Sequence, residues 1–398
     1  MEKKNLLVYG CVCAVAFFAW MPAFALLHGD TPDARHAWAV QDWNRPCPAK
    51  VTAAAVCAPS DAIVLFDGTA ESLAKNWSTE YGGSAKWKVE DGVLVCVPRT
   101  GTIKTKRLFG DCQLHVEWRS PKGTGSGRGQ ANGNSGVILM DKCEIQVLDS
   151  WDTDPAKPEA NPNYADGLAG AIYGQNPPAV NPTRPAGEWQ SYDIVLHYPV
   201  WEGNKMIQPA TITMFFNGVL VHDEWQLDGP PYNKRYAPPA KHPAKLPIRL
   251  QDHNSPVAYR NVWIREIPSR RANTTHGGPF ANASDVMALR HATARRLAAK
   301  IKPGATDANA VERILEVIAY AKEEPYVSEM KRICAAYQAK IKSLSDAEIA
   351  KRRNELRGVN HSIGVLVRCN LMDENDDFAK TIGEIVKSRG WDKEPLWR

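Results

Sequence analysis

The sequence predicts a mainly β protein with a small all-α domain behind it, and three observations carry that prediction. Between residues 61 and 268 the chain is a succession of short apolar or alternating runs broken by Gly, Pro and Asn. Two of the breaks, Asp91-Gly92 and Asn217-Gly218, are dipeptides that tolerate the positive φ of a tight hairpin turn. Past a polar, Gly-containing linker at 269–283 the hydrophobic period changes and helix-capping residues precede each new run. About ten short strands at this spacing point to a sandwich or barrel.

The expected strands, in order, cover 63–66, 87–89, 93–97, 113–118, 137–140, 144–148, 192–196, 211–216, 220–222, 248–251 and 262–267. From 284 to 398 helices are expected. Ser284-Asp285 and Thr306-Asp307 each cap a run, Ser345-x-x-Glu348 forms a capping box, and Gly358 and Gly390 are the expected stops. The basic faces of these helices read as ordinary solvated surface.

Residues 1–25 read as a secretory signal: Lys3-Lys4 at the head, an apolar middle, and Ala23-Phe24-Ala25 as a small-residue cleavage site. The apolar run is short for an uncleaved membrane anchor. The mature protein is therefore expected to be periplasmic or secreted, with no membrane attachment. Residues 26–60, rich in Pro, Ala and Asp, form a leader segment. Of nine cysteines, Cys11 and Cys13 leave with the signal. In an oxidising compartment the expected pairs are Cys47–Cys57, Cys96–Cys112 and Cys334–Cys369, with Cys143 buried and reduced, although spacing alone does not fix the pairing. No Cys-x-x-Cys occurs, which removes zinc ribbons and thioredoxin-like chemistry. A net charge of +5 over 398 residues gives nucleic-acid binding no support.

The stretch from 134 to 172 carries the chemistry. Ile145 and Val147 alternate with Glu144 and Gln146, so one face of that strand is apolar and the other wet. A wet face offering a carboxylate, an amide and then Asp149 is a floor for carbohydrate chemistry, which uses carboxylates as acid, base or nucleophile. Thirteen Trp add flat apolar surfaces of the kind that stack on sugar rings or fill cores.

An ordered set of motifs resembles the 3-keto-disaccharide hydrolase family over some two hundred residues. It comprises Leu65-Phe66-Asp67-Gly68, Trp87-Lys88-Val89-Glu90-Asp91-Gly92, Val116-Glu117-Trp118-Arg119, Gly133-Asn134-Ser135-Gly136-Val137 and Glu144-Ile145-Gln146-Val147-Leu148-Asp149-Ser150. It continues with Tyr164-Ala165-Asp166-Gly167, Ala171-Ile172-Tyr173-Gly174, Gly187-Glu188-Trp189-Gln190, Leu250-Gln251-Asp252-His253 and Arg260-Asn261-Val262-Trp263. The resemblance implies a concanavalin A-like jelly roll over 61–268, two curved antiparallel sheets with ligand in the concave face, and a 3-keto-glycoside as substrate. Glu144-x-Gln146-x-x-Asp149 is similar to the paired-acid strand of laminarinase-type glucanases, with an amide in place of the middle acid. After His253 the family usually has Gly-Asn, and this chain has Asn254-Ser255.

A 3-keto sugar can lose its C1 substituent without an oxocarbenium ion. Its ketone acidifies the C2 proton, so a base can form an enolate, the C1 group can leave by elimination, and water can add back. The expected roles are His253 as base, Arg119 or Arg260 at the enolate oxygen, and Glu144 or Asp149 as acid to the leaving group. Glu117, Asn134, Gln146, Gln251 and Asp252 are expected around the sugar, with Trp151, Tyr173 and Trp189 as stacking surfaces. Alternatives stand beside these. His253 with Asp252 also reads as a structural pair, Glu117 with Arg119 as a cross-strand ion pair, and Asp149 as a turn former. The sequence requires no cofactor; a divalent metal is compatible with Glu144, Asp149 and His253, though their spacing matches no metal motif. A non-catalytic lectin-like module, with the C-terminal helices docking a protein partner, and an ordinary glycoside hydrolase are the other readings.

Overall fold

In the computed structural model, residues 29–53, 58–122, 128–157, 160–229, 238–268 and 282–393 are described. The signal at 1–25, the first leader residues, Cys57 and most of the 269–283 linker lie outside them. The chain forms two units, residues 49–272 and, apart from these, 29–48 together with the C-terminal helices.

The first unit is a jelly-roll β-sandwich. Its strands are β1 (Ile63–Phe66), β2 (Trp77–Thr79), β3 (Lys88–Glu90), β4 (Val93–Val95), β5 (Ile103–Thr105), β6 (Cys112–Arg119), β7 (Ser135–Leu139) and β8 (Cys143–Val147). They continue with β9 (Gln190–His197), β10 (Val200–Glu202), β11 (Lys205–Gln208), β12 (Thr211–Phe216), β13 (Val219–Gln226), β14 (Arg249–Leu250) and β15 (Ala258–Glu266). One sheet runs β13-β12-β9-β6-β15-β4-β3, with β1 also paired to β15; the other runs β2-β5-β14-β7-β8; all the pairings are antiparallel. Each sheet turns its apolar alternates inward. Leu114, Val116 and Trp118 from one sheet and Val137, Ile145, Val147 and Leu250 from the other are fully buried in a single core. The remaining alternates face outward, so the sandwich has two wet faces rather than one.

The hairpin turns are as read. Asp91 and Gly92 take φ of 50° and 76°, and Asn217 and Gly218 take 50° and 80°. The sequence misses β2, β5, β10, β11 and the short helix α1 (Ala70–Asn76). Those strands are three or four residues long and hold no period of their own; their partners make them strands.

The second unit contains α2 (Ala283–Ala298), α3 (Ala308–Tyr320), α4 (Tyr326–Lys342), α5 (Asp346–Lys351), α6 (Arg353–Arg368) and α7 (Asp377–Ser388). Asp307 caps α3 through the Ala310 amide, and the Ser345/Glu348 capping box is present. The first cap is Asn282, which accepts from the Ser284 and Asp285 amides, rather than Ser284-Asp285. Gly390 follows α7 with φ of 66°. Gly358 ends nothing: it is buried inside α6, between Leu356 and Val359 of one apolar stripe, and that packing outweighs a helix penalty of about 1 kcal/mol. Part of the leader folds here. Trp38 meets Tyr320 edge-on at 6.4 Å, and the Asn44 amide donates to Glu316.

The expected disulfides are not formed. Cys96, Cys112, Cys143, Cys334 and Cys369 are free thiols. The Cys96 amide bonds Val257 at one end of β15, whereas Cys112 pairs with Glu266 at the other, roughly 30 Å along the strand. Cys334 on α4 and Cys369 after α6 belong to helices that pack on α3 and α7 instead of chiefly on each other. Cys47 is an exposed free thiol, and its expected partner lies outside the described residues. No helix among the described residues is long and apolar enough to cross a membrane.

Candidate functional site

The five-stranded sheet sets one site on its outward face. Glu144 on β8 stands opposite Ile138 of β7, which stands opposite Arg249 of β14, which in turn stands opposite Lys104 of β5. Gln146 and Gly136 form the next row, extended by Gln251, whose amide bonds the Gly136 carbonyl. Alternation along each strand and the register between strands together place an acid, two amides and two cations side by side.

Glu144 is the outstanding group. Burial pushes its carboxyl up to about 7, only partly offset by a 3.3 Å hydrogen bond from the Gln251 amide. Gly136 makes room for it, since a β-carbon there would stand 2.8 Å from Glu144 Cδ. Gln146 is 1 % exposed and fixed: its amide donates to Asn134 Oδ1 at 3.0 Å and to the Val147 carbonyl at 3.0 Å. Asn134 donates in turn to the carbonyl and side chain of Gln130. The chain then runs back along β8. The Tyr173 amide bonds the Glu144 carbonyl at 3.0 Å, and the Tyr173 and Tyr164 hydroxyls meet at 2.8 Å. Arg249 is held by Glu80 at 2.5 Å and by Asp141, while no described carboxylate pairs with Lys104. Trp151, 56 % exposed, lies just past the strand.

Other expected members sit differently. Asp149 is five residues beyond Glu144, past the strand's end, where it accepts from Asn132 at 3.1 Å; burial raises its carboxyl. Asp252 ties a loop, accepting from the Gly101 amide at 2.8 Å and the Asn254 amide at 3.0 Å, so no His253–Asp252 pair forms. His253 is exposed on that loop. Among the described residues no three His, Cys, Asp or Glu are grouped to hold a metal ion.

Glu117, Arg119, Arg260 and Trp189 lie across the core, on the outward face of the larger sheet. On β6 the buried alternates are Leu114, Val116 and Trp118, which turns Glu117 and Arg119 the other way. Arg260 stands opposite Glu117 and pairs with it at 2.5 Å. Burial pushes the Glu117 carboxyl up, but bonds from Asn261 and Arg260 hold it below its ordinary value. Both guanidinium groups lie over the Trp189 ring, at 4.7 Å for Arg119 and 4.1 Å for Arg260. Two packed sheets separate this network from Glu144, so neither arginine can serve an enolate there. Alternation distinguishes inside from outside but not one outward face from the other, and this is why the sequence merged the two groups. Tyr164, Arg249 and Lys104 were missed. Tyr164 stands in the Tyr164-Ala165-Asp166-Gly167 motif, which shows no strand period, while the two cations lie on strands too short to show a face.

Residues 61–265, just over half of the chain, match the family described as the 3-keto-alpha-glucoside-1,2-lyase-like domain. Among solved structures, a Parabacteroides distasonis protein provisionally described as a glycosyl hydrolase is 36 % identical, covers 57 % of this chain and 95 % of its own, and has a TM-score of 0.51. A second protein from that organism, with the same provisional description, is 19 % identical over 52 % of this chain and 94 % of its own, with a TM-score of 0.38. A Bacillus licheniformis β-glucanase is 14 % identical over 49 % and 93 %, with a TM-score of 0.27; these last two are too remote to bear on the site. No curated protein matches the chain. By this match over its sandwich, the chain belongs to the 3-keto-alpha-glucoside-1,2-lyase-like family and is a carbohydrate-active enzyme.

Proposed function

We propose that the protein cleaves 3-keto-glycosides by elimination followed by hydration, with Glu144 as the base. The observation that carries this reading is a single carboxyl near neutral pKa, on a wet sheet face, beside a fixed amide where a second acid would stand. A double-displacement glycosidase needs two carboxyl groups about 5–5.5 Å apart. Position 146 supplies none, and Asp149 lies past the end of β8, bonded to Asn132. A base working near pH 7 suits removal of a proton made acidic by an adjacent ketone.

Glu144 takes the proton from C2 and the electron pair moves toward the C3 oxygen as an enolate. Collapse of the enolate forms the C1–C2 double bond and breaks the bond from C1 to the leaving oxygen. Water then adds across that double bond, with its oxygen at C1 and a proton returning to C2. The enolate oxygen needs a cation, and Lys104 and Arg249 are those on the face that Glu144 shares. Gln251 orients Glu144, Asn134 and Gln146 brace the floor, and Trp151 is a stacking surface. His253 keeps a rim position, without the role of base. Export through the 1–25 signal belongs to the same reading, and N-terminal sequencing of the protein from its native host tests it: a chain starting near Leu26 is expected.

Parallel assays of a 3-keto-glycoside and of its unoxidised parent test the chemistry. Cleavage is expected for the ketone alone. Equal cleavage of both would make the protein an ordinary glycosidase, and binding without cleavage of either would make it a lectin-like module.

A further inference from the structure

The elimination just described needs a proton for the departing oxygen, and the expected donors do not stand beside Glu144. Asp149 is past the end of β8 and bonded to Asn132, and His253 is exposed on its loop. Two tyrosines are better placed. Tyr173 is fixed against β8 by the 3.0 Å bond from its amide to the Glu144 carbonyl. Tyr164 reaches it hydroxyl to hydroxyl at 2.8 Å, with ring centroids 6.2 Å apart. The pair holds two hydroxyl protons and their mutual bond uses one, so one remains to be donated outward.

Tyr164 is the outer member. It is 48 % exposed, so a ligand can reach it. Its ring is nevertheless fixed. A β-carbon at Gly167 would stand 2.8 Å from Tyr164 Cδ2, so the ring lies against bare backbone, and Gln130 anchors that backbone through the Gly167 carbonyl at 2.8 Å.

On this geometry we propose that Tyr164 is the acid that protonates the leaving-group oxygen, a role that rests on the elimination reading above. As the bond from C1 to that oxygen breaks, the Tyr164 hydroxyl proton passes to it and the aglycone leaves as a neutral alcohol. The phenolate left behind regains a proton from solvent or from Tyr173, while Glu144 holds the proton taken from C2, so charge and protons balance. Burial, the bond to Tyr173 and the nearby charges of Tyr173, Asp166 and Glu144 all raise the Tyr164 pKa. The hydroxyl therefore keeps its proton at neutral pH and is available as a donor.

The test is Tyr164→Phe in the full chain, which removes one oxygen and keeps the ring. Two 3-keto-glucosides are compared, one with an alkyl aglycone and one with a nitrophenyl aglycone that leaves without protonation. Release of the alkyl aglycone is expected to fall by about 10²- to 10³-fold, and that of the nitrophenyl aglycone by less than about threefold. Exchange of the C2 hydrogen of unreacted substrate with D₂O should persist. An equal loss on both aglycones, or no loss on either, would overturn the assignment. Product from the unsubstituted enzyme without deuterium at C2 would instead defeat the elimination reading, so the two failures are distinguishable.

Discussion

Glu144 occupies space that only a glycine at position 136 leaves open. The two residues lie on neighbouring strands of the β7–β8 hairpin, and a β-carbon on Gly136 would meet Glu144 Cδ at 2.8 Å. The carboxyl folds over this gap, loses water, and acquires its near-neutral pKa. A backbone choice on one strand thus sets the protonation behaviour of a side chain on the next.

Gly136→Ala follows directly. Backbone strain is not at issue, since Gly136 is not among the glycines with positive φ. The added methyl must push the Glu144 carboxyl aside. Activity is expected to fall by about 10²-fold, as for a catalytic group misplaced by about an ångström, with the fold retained. Kinetics with a thermal melt of the same sample checks this.

The pH dependence carries a definite sign. Glu144 must be ionised to act as base, so kcat/KM on a 3-keto-glycoside should climb with an apparent pKa near 7 and level off above it. A flat profile from pH 5 to 8 would remove Glu144 from the role.

On the larger sheet's outward face, Arg260→Ala and Trp189→Ala should act on stability. Each breaks the stack in which Arg119 and Arg260 lie over Trp189, at an expected cost of about 1–2 kcal/mol. kcat/KM should stay within about threefold. A hundredfold loss in a folded Arg260→Ala protein would return the site to that face.

Glu312 in the helical unit gives an independent check on buried carboxyls. It is 3 % exposed, and burial lifts its pKa to about 7, with Arg313 opposing and Glu316 and Glu355 adding to the rise. A raised native pKa means the folded state holds its proton more tightly, so stability falls as pH climbs from about 4.5 to 7. Glu312→Gln should be nearly neutral at pH 4 and stabilise by up to roughly 3 kcal/mol above pH 7. Urea unfolding at both pH values measures the difference.

Much of this was legible in the sequence, and the gaps have physical causes. Long alternating runs such as Cys112–Arg119 and hairpin dipeptides such as Asn217-Gly218 declare themselves, because their signals are local. Trp77–Thr79 and Ile103–Thr105 do not, since three residues hold no period and only pairing makes them strands. Glu144, Gln146 and Gln251 are all expected at the sugar, and they do lie on one face. Arg119 and Arg260 satisfied the same alternation, yet they belong to the other sheet, a fact held in the sheet order and absent from any local pattern. The Cys96–Cys112 pair fails likewise, because its two cysteines lie at opposite ends of β15, which no local pattern records.

The central claim, that Glu144 removes the C2 proton of a 3-keto sugar, is tested most directly by following C2 deuterium in D₂O with the unsubstituted protein and with Glu144→Gln. The expected result is deuterium at C2 of the product for the unsubstituted protein. For Glu144→Gln, exchange and cleavage should fall together by about two to four orders of magnitude. Cleavage without deuterium at C2, or undiminished exchange in Glu144→Gln, would contradict it.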